Sequence, residues 1–161
     1  MLEIRRVVHE DANKLARRLR AADLQEIKAN LGEDPLSVLQ KGVAESDPCY
    51  AVVNEEDEPV ALFGVVPDTA DADVGVVWLL ASDELAEHPF FVLRNTRKWV
   101  EELQQQYRVL WNHIDARNEL HIRWLQWSGF TLLRRIENFG VEQRPFYEFE
   151  KVRSECEHES N

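Results

Sequence analysis

Residues 118 to 130 read Asn-Glu-Leu-His-Ile-Arg-Trp-Leu-Gln-Trp-Ser-Gly-Phe, and they constrain the fold more than any other stretch of the chain. The spacing predicts a short amphipathic helix that stops at Gly129, because glycine takes the left-handed cap conformation at little cost. Phe130 then enters an apolar strand with no intervening loop. A helix joined so tightly to a strand belongs to an α/β chain whose elements pack in immediate succession.

The rest of the chain alternates in the same way. Leu2 to Val8 reads as a first strand. Asp11 or Asn13 can cap a helix in which Leu15, Leu19, Leu24, Ile27 and Leu31 recur, and Asn30-Leu-Gly32 ends it. Pro35 opens a shorter helix to Glu45. The period then changes to that of a meander: Tyr50 to Val53, Pro59 to Val66 and Val74 to Leu80, with acidic turns between them. Pro89 starts a long helix to about Gln106, Val109 to Ile114 is a strand, and Glu119 to Trp127 is the helix described above. Strands over Phe130–Asn138 and Phe146–Val152 follow. The expected order is βααβββαβαββ in one α/β (α+β) domain over residues 1–153. An acidic, flexible tail is expected over 154–161.

Charge and composition exclude several classes. The net charge is −11, and between Lys41 and Arg94 twelve acids occur with no Lys or Arg. Nucleic acid is therefore not an expected partner, since binding it needs clustered cations. No apolar run approaches the roughly 18 residues that span a bilayer, so no membrane role is expected. Met1–Arg6 lacks a secretory apolar segment, which predicts a cytoplasmic protein. Cys49 and Cys156 read as two free thiols, and the five histidines form no metal signature. Glu55-Glu-Asp-Glu58 reads as a solvated turn.

The spacing Asn118…Gly129-Phe130 resembles the last motif of the GNAT acyltransferases, Asn-x-x-Ala-x-x-Leu-Tyr-x-x-x-Gly-Phe, with His121 in place of Ala and Leu125 in place of Tyr. The element order and the opening Ile4-Arg5…Glu10-Asp11-Ala12 are similar to that family too. The resemblance implies a GNAT-like domain with a mixed, mostly antiparallel central sheet. It also implies an acetyl-CoA site with a Gly-rich pyrophosphate turn, a Tyr that protonates the leaving thiolate, and an Asn that reaches the pantetheine arm. The stretch where the turn belongs is Ala81-Ser-Asp-Glu-Leu-Ala-Glu-His-Pro89, without glycine and with Asp83, Glu84 and Glu87 in place of phosphate donors. The carboxylates can instead complement the start of the following helix.

Three residues remain as candidates. His121, one turn from Leu125 on the same helix face, is either a catalytic acid or base or a packed structural residue. Asn118 either caps its helix or contacts the cofactor, and Ser82 is the second cofactor-binding candidate. Among the tryptophans, Trp99, Trp111, Trp124 and Trp127 are core residues or anchors of a protein interface.

Residues 74–150 also resemble the internal virion (core) protein of short-tailed phages of the T-seven type. Leu110-Trp-Asn112, Asn118, His121-Ile-Arg123, Leu125, Gly129 and Trp78-Leu…Ser82-Asp83 carry that resemblance. It implies a phage or prophage protein that uses the fold for virion assembly or partner binding, with protein partners and no cofactor. The alternative is a divergent acetyl-CoA-dependent N-acetyltransferase, in which acids on the central strands would take the amine proton. A third possibility is a small-ligand module built on an opening between the meander's last strand and Val109–Ile114.

Overall fold

The computed structural model describes residues 1–154. The expected tail and Cys156 therefore lie almost wholly outside the described residues. The described residues build seven strands: β1 (Glu3–Arg6), β2 (Cys49–Val53), β3 (Pro59–Pro67), β4 (Val74–Ala81), β5 (Val109–Asp115), β6 (Thr131–Phe139) and β7 (Arg144–Val152). They form one sheet in the order β1-β2-β3-β4-β5-β7-β6, antiparallel everywhere except between β4 and β5. The helices are α1 (Asp11–Ala16), α2 (Ala21–Asn30), α3 (Pro35–Glu45), α4 (Pro89–Gln106) and α5 (Glu119–Trp127), with a 3-10 turn over Asp83–Glu87.

Strand alternation divides the core between the two faces of the sheet. Ala51, Leu62 and Leu80 pack on Leu15, Ile27 and Leu39 of α1, α2 and α3. Ala61, Phe63 and Val65 pack on Val100 and Leu103 of α4 and Leu125 of α5.

Local signals account for most boundaries. Asp34 caps α3 by accepting the Ser37 N–H at 3.3 Å, with Pro35 in the first turn. Gly129, at φ +98°, ends α5. Its N–H donates to Gln126 O at 3.1 Å, and the Phe130 N–H donates to Leu125 O at 3.0 Å, the paired closure of a Schellman cap.

Two expectations are corrected. The single helix anticipated from Asp11 to Leu31 breaks into α1 and α2, because Leu19 and Arg20 leave it to pair with β4: Arg20 N–H donates to Ala81 O at 2.9 Å. Hydrogen bonds to a buried strand end outweigh the helical periodicity there. Asp11 is not a helix cap. It is buried, accepts the Val8 N–H at 2.8 Å, and forms a two-pronged ion pair with Arg5 at 2.8 and 2.9 Å.

A cleft between splayed strands as the candidate site

β4 and β5 pair only from Val74–Val76 to Val109–Trp111 and then diverge. Diverging strands leave buried N–H and C=O groups that must find other partners. At the base of the cleft Asn112 Nδ2 donates to Val77 O at 2.8 Å. At its far end α2 lies across the gap. Asp23 Oδ2 accepts the Ala81 N–H from β4 at 2.8 Å, and Glu26 Oε1 accepts the Asp115 N–H from β5 at 2.8 Å. Two carboxylates one helical turn apart thus strap the two strand ends together.

Between base and strap lies a cavity of about 280 Å³, lined from both faces of the sheet. Its walls are mainly apolar: Leu79, Phe91, Trp99, Trp124 and Phe149 are among them. Polar groups are few, as is usual where a small molecule binds. Antiparallel pairing alternates along β4: Ser82 N–H goes to Val60 O at 2.8 Å, so the N–H groups of Ala81 and Leu79 turn the other way, toward the cleft. Asp23 takes the first. The second faces the cavity, which Leu79 lines. Trp124 Nε1 is buried without a hydrogen-bond partner among the described residues, and its ring also lines the cavity.

The titratable groups here are strongly perturbed. Burial raises Glu26 to about 7, with Asp23 and Asp115 adding to the rise and the Asp115 N–H opposing it. Burial also raises Asp23, against the pull of Arg20, whose Nε donates to Asp23 at 2.9 Å. Asp115 is a different case. Burial works to raise it, but the Arg117 guanidinium at 2.6 Å holds it below the usual carboxylate range.

The three candidates fall in different places. His121 is at the cavity, 5.0 Å from the Trp124 ring centroid, and its Nδ1 is 3.3 Å from Arg20 Nη2. Burial and then the Arg20 charge lower it to about 3, so the ring is neutral and its Nδ1 accepts from Arg20. Ser82 is buried, with both N–H and Oγ directed at Val60 O. Asn118 occupies the N-cap position of α5, but its side chain makes no capping hydrogen bond. That corrects the capping expectation; its Nδ2 is buried without a partner among the described residues.

Glu26 and Asp23 were missed in the sequence. The signal available was two acids, one turn apart, on the same helical stretch as the buried Ile27. The acids expected on the central strands are not at the cavity: β4 has none, and Asp115 of β5 is engaged by Arg117. Among the described residues no group of His, Cys, Asp and Glu gathers as a metal site, and no helix is long and apolar enough to cross a membrane.

The turn from Ser82 to His88 is closed from within. Glu84 accepts from Arg18 Nη2 at 2.8 Å and from Asn54 Nδ2 at 3.2 Å, while Leu85 packs into the core. Arg18 and Asn54 hold Glu84 ionised, below its ordinary value. Asp83 and Glu87 are exposed on the same turn.

No family model and no curated protein matches the chain. Solved structures do. The ribosomal-protein-S18-alanine N-acetyltransferase from Escherichia coli is 12% identical with a TM-score of 0.71, covering 100% of this chain and 99% of its own. A GNAT-family acetyltransferase from Streptococcus pneumoniae is 14% identical with a TM-score of 0.62, covering 94% and 99%. Spermidine N-acetyltransferase from Vibrio cholerae, in complex with CoA and spermine, is 12% identical with a TM-score of 0.68, covering 94% and 95%. The chain has the fold of the GNAT acetyltransferases, a single α/β domain around a mostly antiparallel seven-stranded sheet. The phage internal virion protein resemblance finds no support in these comparisons.

Proposed function

We propose that this chain is a divergent GNAT-type acyltransferase whose reaction chamber is the β4–β5 cleft. The observation that carries this reading is a half-buried carboxylate, Glu26, raised to about 7 at an apolar cavity toward which the Leu79 N–H turns. In this reading an acyl thioester lies in the cleft with its carbonyl oxygen on the Leu79 N–H. An amine nitrogen attacks the carbonyl carbon, the C–N bond forms and the C–S bond breaks. Glu26 takes the proton from the amine, and the thiolate leaves to be protonated by solvent, since Leu125 offers no acid. A base with a pKa near the working pH is the efficient choice for this transfer. His121, held neutral by burial and then by Arg20, positions that guanidinium against Asp23 rather than moving protons.

The fold implies acetyl-CoA as donor, and the Vibrio cholerae neighbour holds CoA. The turn before α4 does not fit the diphosphate end of that molecule: it lacks glycine and presents Asp83 and Glu87, while Glu84 is held by Arg18 and Asn54. Each like-charge approach at about 4–6 Å costs on the order of 1 kcal/mol in wet surroundings. The same closed turn is the observation that favours a partner-binding role without chemistry.

Calorimetric titration with hexanoyl-N-acetylcysteamine, a thioester without a nucleotide, separates the two. Binding that is lost in Val92→Trp, which fills the cavity from α4, supports the acyl site. Absence of binding to the folded wild type returns the protein to the scaffold reading. With an amine acceptor, thiol release should fall at least about 100-fold in Glu26→Gln.

A further inference from the structure

The cavity extends well beyond the β4–β5 cleft. Leu79 of β4, Phe63 of β3, Val52 of β2 and Ile4 of β1 all line it, on the sheet face that α4 covers. These four strands are consecutive in the sheet, with β1 at the edge. Neighbouring strands lie about 4.8 Å apart, so the cavity reaches about 14 Å sideways from the cleft. Val92, Thr96, Trp99 and Leu103 of α4 form its roof, spaced three or four residues apart along one helix face. The cleft therefore opens into a long apolar limb between α4 and the sheet.

Two features set this limb apart from an ordinary core. Val77 and Leu79 sit on a central strand yet are only half-buried, as are Phe91, Val92 and Trp99 above them. Interiors are normally filled, and an empty cavity costs stability in proportion to its volume. At about 280 Å³ the whole cavity is nearly twice the size of one, about 150 Å³, that stays dry and admits benzene. The second feature is the state of its polar side chains. Asn95 Nδ2 donates to Phe91 O at 2.8 Å, and Thr96 Oγ1 donates to Val92 O at 2.6 Å. Ser128 Oγ likewise donates to Trp124 O at 2.7 Å. These donors are spent on their own helices, so the limb offers an occupant mainly apolar contact.

We propose that the group transferred is a medium-length alkyl acyl chain, of the hexanoyl to decanoyl class, whose tail lies in this limb beneath α4. The proposal rests on the acyl-transfer reading of the cleft and names the acyl class of its donor. With the thioester carbonyl at the Leu79 N–H, the chain runs over Leu79 and Phe63 toward Val52 and Ile4. The amine arrives from the other face of the sheet, where α2 carries Glu26. The transfer itself is unchanged: C–N forms, C–S breaks, the amine proton goes to Glu26 and the thiolate leaves. An acetyl group would occupy only the mouth of the limb and leave its apolar walls uncovered.

Calorimetric titration with acetyl-, hexanoyl- and decanoyl-N-acetylcysteamine tests this. Each methylene moved from water into the limb strengthens binding about four-fold, so the hexanoyl form should bind on the order of 100-fold tighter than the acetyl form. Ile4→Trp, which plugs the limb at β1, should weaken the decanoyl form at least about ten-fold and leave the acetyl form unchanged. Ile4→Ala opens the same end and trims only an edge-strand side chain. It should raise the preference for dodecanoyl over decanoyl at least about three-fold. Acetyl binding as tight as hexanoyl overturns the proposal while the acyl site in the cleft stands, and so does a decanoyl affinity that neither Ile4 variant moves. Decanoic acid binding as tightly as its thioester makes the limb a fatty-acid site and also overturns it. Failure of every thioester, acetyl included, to bind the folded wild type strikes the acyl-site reading and the proposal with it.

Discussion

Glu26 connects stability and chemistry at the scale of one residue. Its carboxyl ionises near 7 in the fold against an ordinary 4.5, so stability is full below 4.5 and is lost as pH rises toward 7. His121 acts in the opposite sense. Lowered from 6.5 to about 3, it contributes stability present above 6.5 and lost as pH falls. Between 4.5 and 6.5 the two slopes oppose each other. Glu26→Gln removes one of them, so urea unfolding of the variant should show stability rising with pH through that window. At pH 8 the variant should exceed the wild type by about 3 kcal/mol, while losing turnover. Gly129 gives a purely structural counterpart. A Cβ there meets the flexible end of Lys151 at 2.8 Å, which can move, but the φ of +98° remains. Gly129→Ala should cost about 1–2 kcal/mol in denaturant melts.

At the scale of elements, α2 is a strap as much as a helix. Asp23 satisfies the Ala81 N–H and the Arg20 guanidinium while 1% exposed. Removing it strands both partners, and loss of one member of a buried pair costs about 3–5 kcal/mol. Asp23→Ala should therefore destabilise the fold by about 3 kcal/mol and speed hydrogen exchange at the α2 and β4 ends, with β6 and β7 less affected. Leu19 and Arg20, helical by pattern, are extended because β4 needs partners at Ala81 and Ser82. An equal loss of protection throughout the sheet would argue against a local strap.

At the scale of the molecule, the two helical layers and the splayed sheet between them enclose one cavity reached by side chains of both. A hydrophobic probe such as N-phenyl-1-naphthylamine should bind once per chain, be displaced by hexanoyl-N-acetylcysteamine, and fail to bind Val92→Trp. Two or more equivalent sites, or binding unaffected by the substitution, would place the apolar surface elsewhere. The same scale explains the charge layout. Acids crowd the hairpin, where Asp57 pairs with Arg5 and Glu55 with the amino terminus.

From α3 onward the sequence alone determined the strand–helix succession. Pro35, Pro89 and Gly129 act through local backbone geometry, and the helices Pro35–Glu45, Pro89–Gln106 and Glu119–Trp127 fall where those residues place them. It also made the missing phosphate turn legible, since the absence of glycine between Gly75 and Gly129 is a property of the string itself. Tertiary structure decided the site. Whether β4 and β5 part, which N–H groups that parting leaves without partners, and which acids on a distant helix meet them depend on contacts between residues as far apart as Glu26 and Asp115. Periodicity identifies a buried face but not the strand end that the face will meet. The acid at the cavity therefore read as one more charge on an acidic chain.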